Sequence, residues 1–253
     1  MCVVIKMSVQ TIINKLQSNL EQLINGAVLL VGIILILSSM ICEKGGQWET
    51  ILISIGASLI ASAIVSFLTS IYILKYQRAK NIAETWGIRS IEEQRALMNV
   101  QVDERMRKAK KHIDIIAYGL KSLRESGTRL IKDALKRNIR IRIITVNPEN
   151  EILRIKDKDE GKSEGSTAQS INKLEEWVKH LNEGSKGKIE LRFCETLPSE
   201  LYYRVDKYVY TGPYQFGRES QRTITTEYKS PGKGYSYYTQ YFDDLWNDEN
   251  FCS

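Results

Sequence analysis

The sequence predicts an α/β protein in two parts: an N-terminal two-span transmembrane α-hairpin, and a cytosolic α/β sandwich with a mixed sheet. Three observations predict it. Two long stretches carry no charge, basic residues gather outside those stretches, and from His112 the pattern becomes alternating strand-like and helix-like runs. The average composition, 43% hydrophobic and 26% charged over 253 residues, conceals this division. The limits that follow are 1–22 for an amphipathic helix, 23–76 for the hairpin, 77–111 for a helical connector and 112–253 for the α/β domain.

In the first segment Val9, Ile12, Ile13, Leu16, Leu20, Leu23 and Ile24 recur at helical spacing, which predicts an amphipathic helix on the membrane surface or against the hairpin. The uncharged stretches are LINGAVLLVGIILILSSMIC, from Leu23 to Cys42, and ILISIGASLIASAIVSFLTSIYIL, from Ile51 to Leu74. As helices they would be roughly 30 and 36 Å long, against a hydrocarbon core of roughly 30 Å. A cleaved signal peptide fits poorly, because a polar-rich segment precedes the first stretch and a second follows directly. Lys6 and Lys15 precede the first span and Lys75, Arg78 and Lys80 follow the second, whereas the loop between carries only Lys44. The positive-inside rule therefore puts both ends in the cytoplasm, in a multi-pass protein of the inner cell membrane. Trp48, Tyr72 and Tyr76 fall where amphipathic rings favour the headgroup layer.

Within the second span Ser54, Ser58, Ser62, Ser66 and Ser70 recur at every fourth position, with Gly56, Ala57, Ala61 and Ala63 beside them. Residues four apart share a helix face, so one stripe is small and hydroxylated. It is either a tight seam, within the hairpin or between protomers, or the lining of a water-filled path when several copies gather. The connector after it has ten basic and five acidic residues between Lys75 and Lys111, no proline, and only Gly87 as a possible break, which predicts mostly helix. Near the bilayer its charge attracts anionic lipid; farther out it reads as a solvated helix face. Alternation of the two signs disfavours nucleic acid as a partner.

The α/β domain opens with HIDIIAYGL as a strand, SLRESGTRLIKDALKRN as a helix with Ser122 as N-cap, and IRIRIITVNP as a second strand. That order implies a parallel pair with a right-handed crossover. The polar stretch around DKDEGKSEG reads as a mobile lid or a disordered segment, INKLEEWVKHLNE as a helix, and GKIELRFCETLP and YYRVDKYVYTGP as two further strands. A docking helix closes the chain, with Tyr237, Tyr241, Phe242 and Leu245 on its buried side. Cys2, Cys42, Cys194 and Cys252 show no paired spacing, and a reducing cytosol would keep them as thiols. With only His112 and His180 besides, no metal site is expected.

From His112 to Trp246 the element order, the run LKRNIRIRIITVNP and the closing YYRVDKYVYTGPYQFG resemble the phospholipase D superfamily domain. Active members carry His-x-Lys-x4-Asp on the penultimate strand, followed by a Gly-Ser-x-Asn turn. If Gly212-Pro213-Tyr214-Gln215 occupies that turn, the three catalytic positions fall on Pro198, Glu200 and Val205. A shift by one residue gives Ser199, Leu201 and Asp206. Cleavage by this fold needs a histidine nucleophile, a lysine against the phosphoryl oxygens and a histidine acid. The resemblance therefore implies a fold without catalytic residues: not an enzyme, and needing no cofactor.

What remains is a pocket-bearing domain on a membrane anchor. Ligands of open α/β sheets bind beyond the carboxyl ends of parallel strands, which nominates Tyr118, Gly119, Lys121, Ser122, Thr145 and Asn147. The turn after the last strand adds Gly212, Tyr214, Arg218 and Arg222. These offer cations for phosphate, an aromatic face and close backbone approach. Two spans joined to a silent sensor also resemble bacterial anti-phage effectors, in which a cyclic nucleotide controls oligomerisation and membrane damage. By that analogy the expected partners are the lipid bilayer, a nucleotide second messenger and further copies of the chain. The rival readings are a membrane-bound phospholipase D-like phosphodiesterase or nuclease, and a passive membrane scaffold.

Overall fold

The structure, a computed structural model, describes residues 20, 23–41, 44–196 and 198–252. The amphipathic helix expected before residue 23 lies almost wholly outside the described residues. The chain divides into two compact units, Met1–Lys80 and Asn81–Ser253.

The first unit holds α1 (Leu23–Ser39) and most of α2 (Gln47–Trp86). By length and composition α2 is the one described helix able to cross a membrane. At about 26 Å, α1 is a shorter apolar helix. The two meet at glycines: a Cβ on Gly32 would sit 2.9 Å from the Gly56 carbonyl oxygen, and one on Gly56 would sit 2.8 Å from that of Gly32. Absence of side chains there lets two backbones approach, which is how small residues build helix pairs. The buried face of α2 thus carries Gly56 and Ala63, whereas Ile53, Ile55, Ile64, Val65, Phe67 and Leu68 are exposed. Ser54, Ser58, Ser62 and Ser66 are exposed too, so the seam within this helix pair runs along the glycines and not along the serine stripe. The Ser58 hydroxyl donates back to the Ser54 carbonyl at 2.8 Å, the usual fate of a helical serine without a cross-helix acceptor.

The second unit is a seven-stranded mixed sheet in the order β1-β7-β6-β5-β2-β3-β4. Its strands are β1 (Ile88–Glu92), β2 (His112–Ile116), β3 (Arg140–Val146), β4 (Ile189–Cys194), β5 (Glu200–Val205), β6 (Tyr208–Pro213) and β7 (Thr225–Lys229). As expected, β2 and β3 are parallel; β4 joins them in parallel, and β5, β6, β7 and β1 continue antiparallel. Between the strands lie α3 (Arg95–Arg107), α4 (Lys121–Ser126), α5 (Thr128–Lys136), α6 (Ile152–Asp159) and α7 (Ser166–Glu183), and α8 (Lys233–Asn247) follows β7.

Several expectations change. The stretch 77–111 is mostly helix and breaks at Gly87, as expected, but the break opens into a strand: Gly87 adopts φ +73, and β1 then pairs with β7 at the sheet edge. Only glycine fits there, because a Cβ would run into the Lys229 carbonyl and lie 2.9 Å from the Gly232 Cα. The helix expected after β2 breaks at Gly127 into α4 and α5, and its N-cap is Leu120 in the left-handed region, not Ser122. The polar stretch after β3 contains α6, pinned by buried Leu153 and Asp157. YYRVDKYVYTGP is a hairpin of two strands around an Asp206–Lys207 turn. On α8, Phe242 and Trp246 are buried while Tyr237 is exposed. Finally, Cys194 and Cys252 are disulfide-bonded across 58 residues, with Cα atoms 4.2 Å apart, so these two are not free thiols. Their separation gives no spacing signal; the pairing arises because the chain end returns to β4, where Glu195 N–H donates to the Phe251 carbonyl.

Alternation along the strands makes two faces. One buries Ile113, Ile115, Ile141, Ile143, Leu201 and Val205 against α3, α4, α5 and α7. The other buries Ile116, Ile144, Tyr202 and Val209 against Phe242 and Trp246 of α8.

Candidate functional site

Beyond the carboxyl end of β2 the first of these faces opens into a cavity of about 820 Å³, walled also by α3, α6, α7 and β5. Of the residues expected to gather there, Tyr118, Gly119, Lys121, Ser122 and Tyr214 line it. The chain leaves β2 through Ala117–Leu120, with Leu120 at φ 45, and turns at once into α4. Arg124 fixes this turn, donating from Nε to the Gly119 carbonyl at 2.8 Å and from Nη2 to Ser170 Oγ at 3.2 Å. Gly119 has no room for a side chain: a Cβ would collide with Ser170 Oγ and stand 2.7 Å from the Ser170 carbonyl carbon.

The other expected residues stand elsewhere. Thr145 is buried beneath the site and donates to the Tyr118 carbonyl at 3.3 Å. Asn147 reaches Glu195 at 2.9 Å, holding the β3 and β4 ends together. Gly212 is buried against the Ile224 carbonyl. Arg218 is exposed, and Arg222 is exposed and pairs with Glu219 at 3.4 Å.

Two tyrosines form one wall, Tyr118 and Tyr214, edge to face with centroids 4.8 Å apart. Burial pushes the Tyr118 phenol well above the ordinary tyrosine range and raises that of Tyr214, so both remain neutral at physiological pH. Lys156 lies 4.2 Å from the Tyr118 centroid and 4.9 Å from that of Tyr214, and the Arg95 guanidinium lies 5.1 Å from the latter. The Glu160 side chain, nearly buried, accepts from Lys156 at 2.6 Å and also from Lys162. Burial alone would raise its pKa, but hydrogen bonds and charges from the two lysines outweigh it and bring it below the usual carboxylate value. Basic side chains outnumber acidic ones on the cavity wall by six to four, which favours an anionic occupant.

Arg95, Arg124, Lys156 and Glu160 were not among the expected site residues. For Arg95 a signal existed. The buried positions of α3 are 95, 98, 102 and 106, so an arginine heads the apolar stripe Met98, Val102, Met106.

Of the two frames for the phosphodiesterase motif, the one through Asp206 puts Leu201 on the cavity wall and Ser199 on an exposed position before β5. The Asp206 carboxylate is occupied elsewhere: it accepts the backbone N–H groups of Lys110, Lys111 and His112 at 2.8, 2.9 and 3.2 Å. His112 begins β2, at the end of the strand remote from the cavity, and His180 is exposed on α7. No histidine is among the described residues lining the cavity, and the described residues contain no cluster of three or more metal-ligating side chains.

No family model matches the chain, and no curated protein does. Among solved structures it is similar to TrmBL2, an archaeal chromatin protein with a novel mode of DNA binding: 13% identity, TM-score 0.42, 77% of this chain and 69% of that one. It is also similar to NucT from Helicobacter pylori, at 13% identity and TM-score 0.40, over 64% of this chain and 96% of that one. A third similar structure is the phosphatidylserine synthase of Haemophilus influenzae Rd KW20: 11% identity, TM-score 0.43, 70% of this chain and 42% of that one.

Proposed function

We propose that this chain is a membrane-anchored sensor: its α/β domain, of phospholipase D-like plan, binds a phosphorylated ligand without cleaving it, and its apolar helix pair delivers the response. The composition of the cavity carries this reading. It lies where ligands of α/β sheets bind, its 820 Å³ suits a nucleotide-sized molecule, and its wall combines cations with tyrosines. It offers no histidine nucleophile or acid among its described lining residues, and loss of a nucleophile costs many powers of ten in rate.

The helix pair supports the membrane half. Its seam is made by glycines while large apolar side chains face outward, an arrangement suited to lipid. The exposed serines of α2 then offer a second surface for further copies, as a packing seam or as a pore lining. Ligand would favour one protomer arrangement through its difference in affinity, and a nucleotide-controlled effector of anti-phage defence would work in this way. Basic flanks favour a cytoplasmic α/β domain, whereas the Cys194–Cys252 bond is typical of an oxidising compartment. Alkylation of these cysteines in intact cells, with and without prior reduction, decides between the two sides.

The test is mass spectrometry of small molecules released from the full chain purified in mild detergent, with dye release from vesicles carrying it. A retained organophosphate that changes leakage is the expected result. Leakage should disappear in Ser58→Leu/Ser62→Leu/Ser66→Leu with ligand retention unchanged. Turnover of a phosphodiester at enzyme-like rates would overturn the reading.

A further inference from the structure

We infer that the phosphate-binding point of this cavity is Arg95, at the start of α3, and not strand β5, where the phosphodiesterase motif would hold a phosphate. The inference rests on the phosphorylated-ligand reading above and assigns it to one side chain.

The argument is one of elimination among charges. Lys156 and Lys162 already share the Glu160 carboxylate. Lys121 is exposed beside Glu125, and Arg124 is spent on the Gly119 carbonyl and Ser170. Lys173 is exposed and solvated. Arg95 differs from all of these. It is only 4% exposed, its Nε has no hydrogen-bond partner, and its guanidinium meets neutral groups, the Thr223 hydroxyl at 3.4 Å and Tyr214. Among the described residues no carboxylate pairs with it, and Glu160 and Glu219 of the same wall pair with Lys156, Lys162 and Arg222. A buried cation without a counter-ion is strongly disfavoured, so this side chain favours an anion beside it.

Helix starts point the same way. Four helices, α3, α4, α5 and α7, begin at the cavity wall, and each first turn presents backbone N–H groups and a partial positive charge; that of α5, capped by Gly127, has as its cation only the exposed Arg129. The six residues of α4 are too few to count. The start of α7 is already taken, because Asp157 accepts from the backbone and hydroxyl of Thr167 at 3.0 and 2.5 Å. At α3, Gln94 makes no side-chain cap and the first turn contains no acid. The buried guanidinium, its Nε without a partner, thus sits at a helix start that carries no acidic cap, the backbone N–H of Arg95 itself donating to the Thr223 carbonyl at 3.0 Å.

Phosphate esters match this chemistry, since the planar guanidinium fork suits their oxygens. The cavity is much larger than phosphate itself and is walled by tyrosines, so the ester carries an organic group. A nucleoside phosphate and the headgroup of a phosphatidate share this chemistry.

The experiment titrates the full chain in detergent with adenosine monophosphate, dihexanoyl phosphatidate, inorganic phosphate and adenosine. At least one phosphate ester should bind at least ten-fold more tightly than adenosine or inorganic phosphate. Preference for the nucleotide assigns a soluble source, and preference for the phosphatidate a lipid one. Arg95→Gln should weaken the preferred ester by ten-fold or more and leave adenosine unchanged, whereas Lys173→Gln should change the ester by less than two-fold. Arg95→Lys, which keeps the charge but loses the fork, should give an intermediate loss and serves if Arg95→Gln fails to fold. Wild-type affinity in a folded Arg95 variant, with binding lost in Lys121→Gln or Lys156→Gln, sinks this inference and leaves the phosphorylated-ligand reading standing. Absence of binding by either ester sinks both.

Discussion

Two buried arginines on opposite sides of one sheet show how the same residue type serves structure in one place and recognition in another. On the α8 side, Arg142 of β3 pairs with Asp114 through two bonds of 2.7 and 3.0 Å, reaches Asp243 at 2.9 Å, and lies against the rings of Phe242 and Trp246. Arg204 adds a third bond to Asp114 at 3.1 Å. On the cavity side, Arg95 has comparable burial and no carboxylate partner among the described residues. The first arginine completes a docking surface for α8, which the Cys194–Cys252 bond closes covalently. The second is left open. Burial alone therefore says little about role; the counter-ion inventory does.

The largest effect should come from breaking the closed side. Arg142→Met leaves the fully buried Asp114 with Arg204 alone, and should cost about 3–5 kcal/mol in urea unfolding. Arg95→Met removes an uncompensated charge and should leave the ligand-free domain as stable as before, or more so. Equal losses in the two variants would erase the distinction. Next in size, reduction of Cys194–Cys252 should cost about 2–4 kcal/mol, as expected for a long closed loop, and should loosen α8 and the chain end while ligand affinity at the cavity is unchanged. A fall in affinity on reduction would mean that the two sides are coupled.

On the cavity side, Gly119→Ala should cost about 1–3 kcal/mol, because a methyl group there must displace Ser170 and with it the start of α7. Adding Ser170→Ala should recover only part of the loss, since the Ser170 backbone carbon also stands too close. Ligand binding should fall in parallel. Unchanged binding would show that the β2–α4 turn is scaffold only.

Much of this architecture was legible in the chain, and the exceptions share a cause. The strands β2, β3 and β4 and the helix α7 announce themselves because each buries its own apolar pattern locally. The edge strand β1 does not: Ile88-Arg89-Ser90-Ile91-Glu92 has two apolar residues and alternates between half-buried and exposed, and it is specified by β7 and by the Gly87–Gly232 approach. The strand-end rule found Tyr118, because that rule concerns topology, and the turn after β6 gave Tyr214; the same rule pointed to Thr145 and Asn147, which do not line the cavity. Arg95 and Lys156 were not found, because their importance lies in which partners they lack or share after folding. Helical phase places Arg95 on an apolar stripe, but the absence of a carboxylate partner among the described residues is a property of the folded sheet and the helices packed on it.

The smallest effect concerns pH, and it tests the far end of β2. His112 is half-buried, with Nε2 lacking a hydrogen-bond partner, and burial, followed by the Arg204 charge, holds its pKa below the ordinary value of 6.5. Nearby Asp114 and Asp206 oppose this shift without reversing it. The unfolded chain then binds the proton more readily than the folded one. Stability from this residue is complete above pH 6.5 and falls as pH drops through the folded pKa, since stability rises with pH wherever the unfolded state holds more protons. The only other histidine in the sequence, His180, is exposed on α7. Urea midpoints measured from pH 7.5 to 5.5 should therefore decline in the native chain and decline less in His112→Gln. Because His112 and the cavity occupy opposite ends of β2, ligand affinity corrected for ligand ionisation should not share this pH dependence. A common profile would join the strand's two ends in one transition.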